Sequence, residues 1–224
     1  MSQIAENFDQ ILRMIRKGEK AAGRKEGSVE LVAVSKTQPV EAIREALATG
    51  HRCFGENRVQ EAQEHWTGLR KDFPDLQLHL IGPLQTNKVK EAVALFDCIE
   101  TLDRDKLAQA LRDELTKQGR ALPCFIQVNT GEEEQKAGIL PQHLAEFYRY
   151  CVEEVTLNVT GLMCIPPVED PPALHFALLQ KWARHLNLPH LSMGMSADFL
   201  KAIPLGATHV RVGTALFGRR ETPV

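Results

Sequence analysis

The chain has no surplus of basic residues, no paired cysteines and no long apolar run, and each absence removes a class of function. Lysine and arginine number 27 against 29 aspartates and glutamates, for a formal charge of −2 and a pI of about 6.5. Gripping a nucleic-acid backbone requires a positive surplus that displaces counterions, so no nucleic-acid partner is expected. The five cysteines (Cys53, Cys98, Cys124, Cys151 and Cys164) are odd in number, widely spaced and without a CxxC pair. That spacing gives neither a disulfide framework nor a zinc site, and reduced thiols in a cytoplasmic protein are the expectation. The N-terminus carries Glu6 and Asp9 in place of the apolar core of a signal peptide. No stretch of about 18 apolar residues is available to cross a membrane. The eight histidines form no HExxH and no paired ligand spacing, so no metal is expected. No GxGxxG follows a strand, so a dinucleotide fingerprint is absent, and SMGMS (192–196) lacks the GxSxG order of a nucleophile elbow.

What is present is a regular alternation. Hydrophobic residues make up 43% of 224 positions, enough for one sizeable core and within the usual span of a single barrel domain. Ile4, Phe8, Ile11, Leu12 and Ile15 mark one face of an opening helix over 3–22. LVAVSK (31–36) then starts a series of short apolar, β-branched runs of the kind buried on both faces. The others are RCFGE (52–56), LQLHLIG (76–82), FDCIETL (96–102), LPCFIQVN (122–129), LNVTGLM (157–163), HLSM (190–193) and THVRVG (208–213). A helical stretch follows each of the first seven and a last turn the eighth, with Gly50 as the C-cap of the first of these helices. Eight strand-then-helix units without surplus strands predict one α/β domain over 1–224, a (β/α)8 barrel over about 31–218 with an extra N-terminal helix. An open doubly wound sheet is the alternative.

In such a barrel chemistry sits at the C-terminal ends of the strands. Lys36 ends the first strand. One reading makes it an ordinary strand end or half of an ion pair. The other makes it a desolvated lysine whose neutral amine attacks an aldehyde. LSMGMSADF (191–199) places Ser192, Met195 and Ser196 about a glycine turn before a helix, and HVRVGTALFG (209–218) places Gly213 and Thr214 at another helix start. Both loops offer backbone N–H groups to an anion, and barrels often build phosphate sites from the loops after strands seven and eight. Arg211, inside strand eight, either pairs a carboxylate such as Glu56 or hydrogen-bonds a cofactor's pyridine nitrogen, which it would keep unprotonated. Asn57 follows strand two, and His79 lies in strand three either as a satisfied core histidine or as a site residue.

The stretches LVAVSKTQP, FGENRVQE, HLIGPLQTNK, VNTGEEEQKAGI, GLMCIPP, LSMGMSADFLKAI and GATHVRVGTALFG, in order from about 31 to 218, resemble those of the pyridoxal phosphate homeostasis proteins. The resemblance implies a barrel like the N-terminal domain of alanine racemase (pyridoxal-phosphate fold type III). It implies pyridoxal 5′-phosphate (PLP) held as a Schiff base on Lys36. It also implies a phosphate site around Ser196, Gly213 and Thr214, with Arg211 at the pyridine nitrogen and Asn57 near the ring. It further implies a monomer without robust catalysis that stores the aldehyde and delivers it to PLP-dependent apo-enzymes, with effects on vitamin B6 and amino-acid balance. Arg58 and Leu78 stand where the family pattern has aromatic residues, beside the motif residues.

Two enzymes compete with that expectation. A small PLP-dependent racemase or decarboxylase would need an acid–base group on the cofactor face opposite the lysine. Related racemases supply a tyrosine from a further β-domain, whereas the tyrosines of this sequence, Tyr148 and Tyr150, lie on a predicted outer helix. A phosphate-sugar barrel enzyme using Lys36 on its substrate fits the phosphate loops but not the motifs.

Overall fold

A computed structural model describes residues 2–218, so the first and last residues of the expected 1–224 domain lie outside the described residues. Helix α1 (Gln3–Ala21) begins where the Ser2 hydroxyl accepts the Ala5 N–H, and it buries Phe8, Ile11 and Ile15. Eight strands follow: β1 (Glu30–Val34), β2 (Cys53–Glu56), β3 (Gln77–Leu80), β4 (Cys98–Leu102), β5 (Cys124–Val128), β6 (Val159–Cys164), β7 (His190–Met195) and β8 (His209–Val212). Each pairs in parallel with the next, and β8 returns to β1 from Glu30↔His209 to Ala33↔Val212, closing the barrel. Between and after them lie α2 (Val40–Ala48), α3 (Val59–Asp72), α4 (Val89–Leu95), α5 (Asp105–Gln118), α6 (Leu144–Arg149), α7 (Pro172–His185), α8 (Phe199–Ala202) and α9 (Thr214–Phe217). The expected closed barrel with an additional N-terminal helix is the observed fold, and the open sheet is not. No helix among the described residues is long and apolar enough to cross a membrane.

The main apolar cluster joins the outward faces of the strands (Leu31, Phe54, Leu78, Ile126, Leu162, Val210) to the helices. Leu78, which replaces a family aromatic, is fully buried there, while Arg58 is exposed. Cys98, Phe125 and Met163 form a separate small cluster, and they share the barrel interior with polar side chains.

The differences from the sequence expectation lie at element ends. Strand β1 stops at Val34, two residues before Lys36, because the chain turns at Thr37 with φ 61°. Strand β7 runs two residues further than expected, to Met195. The helix expected over 196–203 shrinks to the four residues of α8, because Asp198 accepts the Met195 N–H at 2.6 Å and fixes a turn first. Gly50 does close α2, at φ 90° with its N–H on the Leu47 carbonyl.

Candidate functional site

Lys36 is half-buried at the C-terminal mouth, and the residues on both sides of it are pinned. The Ser35 N–H donates to the Gly55 carbonyl at 3.1 Å, and its hydroxyl donates to Glu56 Oε1 at 2.7 Å. The same buried carboxylate oxygen accepts from Trp66 Nε1 at 3.0 Å and from His65 Nδ1 at 3.1 Å. That hydrogen bond raises the pKa of His65 against the opposing effect of burial. On the far side, the Thr37 N–H donates to the Glu61 carboxylate. A threonine at positive φ is uncommon, and this bond holds it there. Glu56 and Glu61 thus act as a brace for the Lys36 backbone. Neither was singled out for that role in the sequence, where Glu56 was matched with Arg211.

The loops after β7 and β8 meet beside the end of β1. The Gly213 N–H donates to Ser196 Oγ at 3.4 Å. A Cβ on Gly213 would lie 3.2 Å from the Val34 carbonyl oxygen, so the glycine lets the start of α9 sit against the strand that leads to Lys36. Thr214 opens α9. Met195 is half-buried, and its N–H is committed to Asp198 and not directed at an incoming anion. Asn57 follows β2, and the backbone of Gly82 passes so close that a Cβ there would lie 2.3 Å from the Asn57 carbonyl oxygen. Lys36, Ser196, Gly213 and Thr214 are therefore brought to the mouth around β1, β7 and β8, with Asn57 at the end of the adjoining β2.

Ser192, Arg211 and His79 are placed differently, in a polar chain through the interior. Arg211 is buried and donates through Nη1 to Ser192 Oγ at 2.7 Å and through Nη2 to the Cys164 carbonyl at 2.8 Å, at the end of β6. Ser192 donates in turn to Glu100 Oε2 at 2.5 Å. Strands β4 and β7 are not neighbours, so this bond crosses the barrel. His79 donates through Nδ1 to Glu100 Oε1 at 2.7 Å. The carboxylate that answers Arg211 is therefore Glu100, through Ser192, and not Glu56. Burial opposes the charge of Glu100, but the His79 hydrogen bond and the charges of His79, Arg211 and His209 hold its pKa down at about 2. Burial likewise opposes protonation of His79, and Cys53 and Glu100 overcome it, so its pKa lies well above the ordinary range. The Ser192 hydroxyl is engaged on both sides within this chain. His79 lines a cavity at the strand starts, the end of the barrel opposite Lys36. Glu100 was missed in the sequence, although a carboxylate within an apolar strand is the same signal that marked Lys36 and Arg211.

The chain matches the model of the alanine racemase N-terminal domain over residues 2–221. It is 43% identical to a pyridoxal phosphate homeostasis protein of Aquifex aeolicus, covering 96% of this chain and 98% of the relative. It is 37% identical to the protein of the same name from Escherichia coli, covering 99% and 98%. Among solved structures, PipY of Synechococcus elongatus with PLP bound superposes with a TM-score of 0.82 at 37% identity, over 96% of this chain and all of that one. Alanine racemase of Clostridium difficile shares the fold, with a TM-score of 0.70 at 15% identity over 94% of this chain and 57% of that one.

Proposed function

The chain belongs to the pyridoxal phosphate homeostasis protein family, and from that premise we propose that it binds PLP at the barrel mouth as a Schiff base on Lys36 and keeps it there without robust turnover. The observation that carries this reading is the brace on Lys36: Glu56 holds Ser35 and Glu61 holds Thr37, so the lysine backbone is preorganised. The donor set suits the cofactor. Lys36 supplies an amine for the aldehyde, and Ser196 and the start of α9 supply a hydroxyl and backbone N–H groups suited to a phosphate, where Gly213 leaves room against Val34. Arg211 supplies a permanently charged donor, anchored by Ser192 and Cys164 and suited to a pyridine nitrogen.

When bound, the cofactor supplies a reactive aldehyde and an electron-withdrawing ring. An arginine at the ring nitrogen leaves that nitrogen unprotonated and weakens the ring as an electron sink, which favours storage over carbanion chemistry. Racemisation would further require an acid on the opposite face. Tyr148 and Tyr150 lie on α6 and the turn after it, and the Tyr150 hydroxyl meets Gln109 at 3.3 Å on the outer surface. We infer a cytoplasmic monomer that passes PLP to apo-enzymes. The name of the relatives and the five free, buried cysteines, at home in a reducing compartment, support this reading.

The test is direct. PLP added to the wild type should give the visible band of a Schiff base, and borohydride should fix the cofactor on the peptide containing Lys36. The variant Lys36→Ala should give neither, and an equal band in both proteins would refute the assignment. Incubation of the loaded protein with amino acids should yield neither D-isomer nor CO2 on repeated turnover, and sustained turnover would overturn the storage role.

A further inference from the structure

The cavity at the strand starts, of about 250 Å³, lies away from Lys36 and is unused by the function proposed above. Five strands bring soft or nitrogen donors to it: Cys53 from β2, His79 from β3, Cys98 from β4, His190 from β7 and His209 from β8. One donor atom each of His79, Cys98 and Glu100 lies within 4.8 Å of the other two. Cys53 Sγ is 3.8 Å from His79 Nε2. In a tetrahedral site with Zn–N of about 2.0–2.1 Å and Zn–S of about 2.3 Å, the N···S edge is about 3.6 Å, so this pair already stands near ligand spacing.

His79 is also oriented as a ligand requires. His79 donates through Nδ1 to Glu100 at 2.7 Å, which leaves Nε2 turned toward Cys53. A carboxylate on the far nitrogen is the usual support of a metal-bound histidine. The His209 ring lies 5.7 Å from the His79 ring. Its Nδ1 meets Thr208 Oγ1 at 2.8 Å, and that hydroxyl also donates to the Leu191 carbonyl at 3.3 Å. Nδ1 of His209 is therefore the protonated nitrogen, and Nε2 keeps its lone pair.

We propose that this cavity binds one thiophilic divalent cation of the zinc class, ligated by Cys53, His79 and Cys98, with His209 as the fourth ligand and Glu100 orienting His79. Two sulfurs and two imidazoles select a tetrahedral borderline metal over calcium or magnesium, which take oxygen ligands. The cation would bind at His79 Nε2, any proton there passing to solvent, while Glu100 stays on the far nitrogen. Each thiol loses its proton to solvent as its sulfur bonds the metal, so apparent affinity rises with pH. With four protein ligands no position is left for substrate, and the site serves stability rather than hydrolysis.

The experiment uses the untagged, reduced, full-length protein loaded with zinc and desalted. Elemental analysis should find one zinc per chain. X-ray absorption at the zinc edge should show two sulfurs at about 2.3 Å and nitrogens at about 2.0–2.1 Å. Cys53→Ser and Cys98→Ser should each lose the tightly bound zinc, while Cys151→Ser, at a thiol outside the cavity, should keep it. Glu100→Gln should weaken zinc binding about 10–100-fold, the usual effect of removing a carboxylate behind a ligating histidine. Far less than one zinc per chain after desalting, or a wild-type ligand set of nitrogen and oxygen alone, would overturn the proposal. The wild-type absorption spectrum decides the matter even where a serine variant fails to fold.

Discussion

Glu100 concentrates more of the interior electrostatics than any other single residue in the polar chain. It is fully buried, yet it is ionised because His79 and Ser192 each donate to one of its oxygens and Arg211 stands behind Ser192. Its folded pKa of about 2 lies below the ordinary glutamate value of about 4.3. The unfolded chain therefore binds the proton first as pH falls. The resulting stabilisation is complete above about pH 4.3 and is lost as pH falls toward 2. His79 has the opposite sign. Its pKa is raised, so its contribution is complete below the ordinary histidine value and is lost as pH rises through the folded value. Glu100→Gln should cost on the order of 3 kcal/mol between about pH 4.5 and 6.5, and the gap from wild type should close toward both extremes. Urea denaturation of the two proteins across pH measures this, and a gap that stays constant with pH would contradict it. Glu100 escaped the sequence reading for a physical reason. Strands of a parallel barrel are buried on both faces, so the alternation that separates inside from outside is missing, and FDCIETL does not say which way its carboxylate points. The donors of the floor cavity were hidden likewise. Cys53, His79, Cys98 and His209 come from four strands, and only barrel closure brings them together.

Element ends, more than elements, decide the shape of the mouth. The turn from β7 into α8 depends on Gly194, at φ 93°, where a Cβ would lie 2.8 Å from Ala202 Cβ and 2.9 Å from Phe199 Cα. The left-handed conformation costs an alanine about 1–2 kcal/mol, and relief of the overlap adds to that. Gly194→Ala should therefore destabilise the protein by about 2–3 kcal/mol in denaturant melts and also weaken PLP binding, because the turn carries Ser196. Normal stability with normal PLP affinity would show that the turn relaxes without consequence. Such ends were the least legible part of the sequence. The apolar runs located all eight strands, but LVAVSK did not reveal that Ser35 and Thr37 leave the strand to be caught by Glu56 and Glu61. Those partners lie about 20 residues further on, beyond any local pattern. The motif loops were easier, since glycine and serine before a helix start are local signals, and Ser196 and Gly213 do meet.

At the scale of the whole molecule, the parallel ladder has no free edge, because β8 pairs with β1. Helix α1 is tied to α9 by Asn7, which donates to the Leu216 carbonyl at 2.8 Å. It is tied to the chain before β1 by buried Glu19, which accepts from the N–H groups of Gly27 and Val29. Arg24 adds bonds to the carbonyls of Ile203 and Ala207. A structure braced in this way should unfold as one unit. Trp66 is fully buried, 4.8 Å from the Phe54 ring. Its fluorescence change and the loss of far-UV circular dichroism should coincide along a urea titration. Separate transitions would mean that part of the helical layer opens by itself. This regular alternation is why the architecture was readable from sequence. Eight similar units with short connections leave few arrangements other than closure.

The burial of the five cysteines has a consequence for how the molecule records its own motions. Burial pushes the thiols of Cys124, Cys151 and Cys164 up to about 12, so near pH 7 they are protonated and shielded from alkylating reagents. Each sulfur becomes reactive only when the structure around it opens. A brief pulse of reagent thus stamps the chain with a record of which layer parted. Cys151, in the helical turn after α6, reports the outer shell, and Cys124, within a strand, reports the barrel wall itself.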